Sequence, residues 1–487
     1  MENRWTLVYD EYKGLQKTAL NILSGTVSGY LTYVLPMIKV SELTEEIAKE
    51  RNLLVVGKVK TNPILSALKE KGLIKVPSQA EGYSIYVGKN PLQEEGQIIA
   101  IAGFDAHGVL YGCMDFCNRY CGKKLYQSGC IYGEHFFENR FDEQLVDWQV
   151  STAPKIKTRA IWTWGHVIYD YRQFFMNMAR LRFNEVVMWN DVAPLNAKDI
   201  VEYAHSMGIK VIWGFAWGWR TNCSKMLEDF NEDTAKEIKE TVLNKYEEEY
   251  AHIGGDGIYF QSFTEMEQDN IGGKSVAQVV TDLVNDTADA LLKKHPQLHI
   301  QFGLHATSVK NQLDVIKTVD NRVEIVWEDC GAFPYHYSPD QIYTFNDTID
   351  FTGKILNLRG NEGGFGAVMK GMVNLDWGSF EHFTQPYILG ERTNSYLAER
   401  QVKKNKLWKI VQAGWLKNAE YVRQMIAYIA KNGKNPILQG LVEDGMFENQ
   451  IMFPAALFAA LLWDPNGRIE DIIEEVSKYP CVGFANV

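Results

Sequence analysis

The sequence predicts an α/β fold: a (β/α)8 TIM barrel over residues 151–390, preceded by a small α/β domain (1–150) and followed by a helical region (391–487). From about residue 151, strand-like runs alternate with helical ones, the rhythm of a parallel sheet with crossover helices. Those strand-like runs end repeatedly in acids and tryptophans, and a parallel barrel gathers its strand C-termini into one mouth. The stretch HIGGDGIYFQSFTEMEQ (252–268) shows both features. Gly254 and Gly255 stop an acidic helix, residues 257–263 read as a buried strand, and Glu265 follows it.

In the first 150 residues a helix-like opening precedes strands at 52–59, 82–89 and 97–104, with a helix around 62–71. Asp105 and His107 read as turn residues, after which VLYGCMDFCNRY carries apolar residues at helical spacing. The barrel strands are then expected at 158–165, 184–191, 209–219, 257–263, 298–306, 322–330, 354–362 and 367–377. Eight strands in about 220 residues is tight but allowed. Helices over 171–182, 196–207, 231–250, 276–294 and 308–318 separate the first six. Beyond about 390, apolar residues recur at i, i+3, i+4 and i+7, with further helical stretches at 451–463 and 467–477. No internal repeat or low-complexity segment is visible.

Two motifs carry a resemblance. GYSIYV followed by IIAIAGFDAHGVLYGCMDFCNRY resembles the accessory α/β domain (hexosaminidase domain 2) that precedes the catalytic barrel in β-hexosaminidases, O-GlcNAcases and α-glucuronidases. Its glycine core is Gly103, Gly108, Val109, Leu110, Tyr111 and Gly112. The barrel resembles the α-glucuronidase type on the spacing from Asp256 and Gly257 to Glu265. That resemblance implies a glycoside hydrolase with Glu265 as general acid, and Glu328 or Asp329, with Glu362, handling the water. HIGGD also matches a β-hexosaminidase motif in which an Asp and then the acid Glu follow the glycines. Here Gly257 holds the Glu position and Asp256 precedes the strand, so a structural role is expected for Asp256.

The residues themselves point to carbohydrate. Tryptophan recurs at five of the eight expected strand ends, and indole stacks on the C–H faces of sugar rings while Asn, Asp and His bind hydroxyls. Expected substrate-binding residues are Trp164, His166, Trp189, Asn190, Asp191, Trp217, His305, Trp327 and Trp377, against the alternative that the indoles fill the barrel core. Glycoside cleavage needs two carboxyl groups flanking the bond. Glu265 and the Glu328/Asp329 pair fall nearly opposite in an eight-stranded ring, a placement that suits a gap of roughly 6.5–9.5 Å and inversion. Glu362 is the reserve base. The alternative reading is a non-catalytic carbohydrate-binding relative that kept the aromatic mouth.

Composition narrows the rest. A net charge of −11 with no basic stripe argues against a nucleic-acid partner. No run of eighteen apolar residues appears, so no membrane partner is expected, and MENRWTLVYDEYKG lacks the pattern of a signal peptide. Seven cysteines without CxxC spacing fit a reduced, cytoplasmic setting. The cluster Cys113, Cys117, Cys121 and Cys130 reads as core rather than as a metal site, and no cofactor is expected. P-loop, GxSxG and HExxH motifs are absent, and nothing in the chain opposes a homodimer.

Overall fold

A computed structural model describes residues 4–31, 33–93, 96–121, 147–218, 230–266, 268–305, 308–328, 344–360, 363–372, 385–442, 445–450 and 452–485. Asp329, Glu362, Trp377 and Cys130 lie outside the described residues.

The first unit is a six-stranded sheet in the order β2-β1-β3-β5-β4-β6. Its strands are β1 (Trp5–Tyr9), β2 (Met37–Lys39), β3 (Asn52–Lys58), β4 (Tyr83–Lys89), β5 (Gln97–Gly103) and β6 (Trp148–Thr152). The opening expected to be helical is instead β1, followed by the helix Gly14–Ser28. WTLVY is aromatic and β-branched, and it is buried between parallel neighbours β2 and β3. β4 runs antiparallel to both β5 and β6.

Packing explains the glycine core. A Cβ on Gly108 would collide with the Gly82 carbonyl, and one on Gly103 with the Val109 amide, so strand and helix touch backbone to backbone. The Asp105 carboxylate accepts the Gly108 N–H at 2.8 Å and caps the helix Ala106–Phe116, the turn role its position suggests.

Eight parallel strands close the barrel: β7 (Thr158–Trp164), β8 (Glu185–Trp189), β9 (Lys210–Gly214), β10 (Gly257–Gln261), β13 (His299–Leu304), β14 (Val323–Trp327), β15 (Phe365–Met372) and β16 (Ile437–Val442). A small hairpin, β11 (Asn270–Ile271) with β12 (Lys274–Ser275), precedes the helix Val276–Lys294. The first six barrel strands lie where the sequence puts them. The last two do not.

Lys354 to Leu356 complete the helix Phe345–Leu356, whose Phe351, Ile355 and Leu356 are buried, and 357–360 form a turn, so the described residues 354–360 supply no seventh strand. The run expected as the eighth strand is β15, the seventh. The eighth, β16, lies inside the range assigned to the helical region, so the barrel extends past residue 390. ILQGLV is six buried residues just after a 39-residue helix, Asn394–Asn432, and a short apolar run carries no period that separates strand from helix. The helices Phe453–Trp463 and Ile469–Val476 follow.

Period-two alternation sorts the barrel side chains. Trp162, Trp164, Val187, Trp189, Ile212, Tyr259, Val326, Val368 and Leu441 form one cluster inside the ring. Their strand neighbours, including Ile161, Val186, Trp213, Phe260, Phe302, Trp327 and Met369, face the surrounding helices in a larger core. Among the described residues no helix is long and apolar enough to cross a membrane.

Candidate active site

The chain leaves β10 through a single 3-10 turn, Phe263–Glu265, which carries Glu265 to the mouth with 47% of its side chain open to solvent. Thr264 locks this turn to the segment after β13. Its hydroxyl oxygen accepts the His305 N–H at 3.1 Å, and its carbonyl accepts the Ser308 hydroxyl at 2.8 Å. The turn therefore fixes where the His305 imidazole stands. His305 Nε2 lies 2.9 Å from Glu328 and 3.9 Å from Glu265. Only β13 separates β10 from β14, so the two acids stand a quarter-turn apart in the ring and not nearly opposite as expected. The nearest oxygens of the two carboxylates are no more than about 7 Å apart, a bound that includes the ~5–5.5 Å of retaining enzymes and reaches only the lower edge of the inverting range.

Glu328, immediately after β14, is almost completely buried. Gln261 Nε2 donates to both its oxygens at 2.7 Å, the Tyr259 hydroxyl donates to Oε1, and Lys370 Nζ stands 3.5 Å from Oε2. Burial alone would raise its pKa. The charges of His305 and Lys370, with the hydrogen bonds from His305 and Tyr259, win and hold the carboxyl well below the usual carboxylate range. Gly303 makes the room, since a Cβ there would strike both the Glu328 oxygen and the Tyr259 hydroxyl.

Of the expected aromatic residues, Trp164 and Trp189 line the barrel interior. Trp162 joins them, with ring centroids 4.9 Å from Trp164 and 6.0 Å from Trp189. Trp217 and Trp327 do not. Trp217 stacks on Phe260 at 3.6 Å and Trp327 packs on Phe351 at 5.2 Å; both are fully buried between strands and helices. Their positions in the strand alternation send them outward, which corrects the expectation that they bind substrate.

Asn190 is also committed elsewhere. Its Nδ2 donates to the Met188 carbonyl at 2.8 Å and its Oδ1 accepts the Tyr387 hydroxyl, tying β8 to the segment after residue 385. His166 sits half-buried on the turn Gly165–Val167 after β7, and Asp191 half-buried after β8. The sequence reading missed Tyr259, Gln261 and Lys370. All three are polar or aromatic residues at inward positions of β10 and β15, and the signal that finds them is strand parity.

Asp256 lies at the other end of the barrel. It accepts the Val211 N–H and a His205 contact, each at 2.8 Å, and pairs the starts of β9 and β10. Among the described residues no group of three or more His, Cys, Asp or Glu is placed to hold a metal ion.

No family model matches the sequence, and no curated protein matches it. Solved structures share its fold. A GH20 β-N-acetylhexosaminidase from Streptomyces coelicolor A3(2) is 9% identical, with 98% of this chain and 92% of that one covered, at a TM-score of 0.54. A mutant Streptomyces plicatus β-hexosaminidase in complex with product GlcNAc matches at 9% identity, the same coverage and a TM-score of 0.53. A GH138 enzyme targeting pectin rhamnogalacturonan II matches at 12% identity and a TM-score of 0.52, over 96% of this chain. This chain spans 65% of that enzyme's length. The likeness establishes the architecture: an α/β domain, a parallel eight-stranded barrel and a helical C-terminal part.

Proposed function

We propose that this chain is a glycoside hydrolase that cleaves a glycosidic bond in an oligosaccharide or glycoconjugate, with Glu265 as general acid. One observation carries the reading: a solvent-facing carboxyl at the barrel mouth shares an imidazole with a second, buried carboxyl that Lys370 and Gln261 also contact. Glu265 can reach a glycosidic oxygen and donate a proton to it. Glu328 is a fixed anion, suited to stabilising positive charge that develops on a sugar ring. Asp329 and Glu362 are the candidates for activating water, and Trp164, Trp189, His166 and Asp191 for holding the sugar. The fold shared with solved hexosaminidases and a pectin-targeting enzyme supports a saccharide substrate. Of the two chemistries the sequence resembles, the α-glucuronidase-like one fits better, because Asp256 is held at the far end of the barrel from Glu265. Among the described residues, Cys113 and Cys481 are buried free thiols, which supports a cytoplasmic setting.

The test is Glu265→Gln against a panel of aryl glycosides and oligosaccharides. Turnover on a cleaved substrate is expected to fall by at least about 100-fold, with unfolding and sugar binding unchanged. A variant that keeps the wild-type rate removes Glu265 from the mechanism. The closed hydrogen-bonding of Glu328 favours a second reading, a carbohydrate-binding relative without turnover. Calorimetry that shows saccharide binding with no cleavage across the panel would select it.

A further inference from the structure

At the end of the barrel away from Glu265, a cavity of about 570 Å³ lies between the first unit, the starts of the barrel strands and the turn after the long helix. That volume is within the range of small-ligand sites. Its charged lining is Lys155, Lys157, Lys210, His107, Glu81 and Glu185.

The acids here are already neutralised. Glu81 adopts a left-handed backbone (φ 65°), a strained conformation for this residue, and its carboxylate is turned onto the protein. Oε2 accepts from buried Arg159 at 2.7 Å and Oε1 from Asn184 at 3.0 Å. Glu185 is buried inside the barrel, accepts from Gln301 at 2.8 Å, and burial raises its pKa, which disfavours its charge. The cations make no direct ion pair, and only Lys210 has its charge felt by carboxylates, those of Glu185 and Asp256. Lys155, Lys157 and Lys210 are exposed and have no ion-pair partner among the described residues. Three such lysines around one concavity are notable in a chain of net charge −11.

We propose that this cavity binds a small oxyanion, a phosphate- or carboxylate-bearing molecule, held by Lys155, Lys157 and Lys210. It is a second site, independent of the mouth and of the glycosidase reading. Because the cavity walls come from both the first unit and the barrel, an occupant bridges the two and stabilises the fold by mass action.

The experiment is calorimetry and thermal unfolding of the whole chain with inorganic phosphate, glucuronate and, as the uncharged control, glucose. Saturable binding of phosphate or glucuronate with a rise in Tm, and none with glucose, is expected. Phosphate binding without glucuronate binding identifies the ligand as a phosphate; the converse identifies it as a carboxylate sugar. A Lys157→Ala/Lys210→Ala variant is expected to weaken binding at least tenfold, while Lys157→Arg/Lys210→Arg and Glu265→Gln retain it. Both lysines are exposed, and circular dichroism checks the fold of each variant. Absence of binding by either anion at millimolar concentration overturns the proposal, as does equal binding of glucose and glucuronate or full affinity in the alanine variant. If Glu265→Gln abolished the oxyanion response, the ligand would belong to the mouth and the second site would be refuted.

Discussion

Glu328 shows how few atoms set the electrostatics of the mouth. A carboxylate this buried is costly unless every oxygen is paired, and here Gln261, Tyr259, His305 and Lys370 pair it. Its folded pKa is depressed, so its contribution to stability is present in full above the ordinary carboxylate range and is lost progressively as pH falls from there through the depressed value. Gly303 is the weak point of the arrangement. Gly303→Ala is expected to destabilise the chain by about 1–3 kcal/mol through overpacking and to cut turnover more than tenfold, read by urea unfolding and steady-state kinetics. The acids of the site were legible because each follows a strand-like run. Its donors were not, because the inward or outward sense of Tyr259, Gln261 and Lys370 depends on register. The same parity explains why Trp217 and Trp327, identical in kind to Trp164 and Trp189, serve the outer core.

The elements that frame the mouth are held by a second buried acid. Glu448, after β16, accepts the N–H of Tyr169 at 2.7 Å and of Asp170 at 3.3 Å, and so fastens the segment after β7. Asn177 of the helix Tyr171–Arg180 donates to the Phe447 carbonyl beside it. Burial pushes the Glu448 carboxyl up to about 7, against the backbone hydrogen bonds, and the nearby Asp170 charge adds to the rise. A folded value above the unfolded one means the native state binds the extra proton. The associated stability is present below the usual carboxylate pKa and is lost as pH rises through about 7. Urea unfolding from pH 5 to 8 is expected to show wild-type stability falling, with a shallower slope in Glu448→Gln and a more stable variant at pH 8. His205 and His299, whose pKa values are also raised, contribute a fall in the same direction, which the difference between the two proteins cancels. At this scale the sequence was most informative where strand and helix alternate regularly, over the first six barrel strands. It failed at β1, β2, β6 and β16, short runs whose state is decided by the partners they meet.

At the scale of the whole molecule, the barrel is assembled from both ends of its span. β16 pairs with β15 on one side and β7 on the other, and Thr163 donates to the Val442 carbonyl across 279 residues of sequence. The C-terminal part is therefore structural to the ring. A chain stopped at Gly433 keeps the long helix but leaves two unpaired edges, and exposed edges seek other strands. It is expected to aggregate, and to lose the near-ultraviolet circular dichroism of the buried tryptophans in any soluble fraction.

That far-reaching seam also sets the order of events during synthesis. A ribosome must deliver the chain through Val442 before the ring can shut, so β7 waits with one flank open while everything between it and β16 is made. Contacts of such sequence separation make closure slow. Yield in a foreign host should therefore track elongation speed and chaperone supply more closely than it tracks the finished protein's resistance to heat.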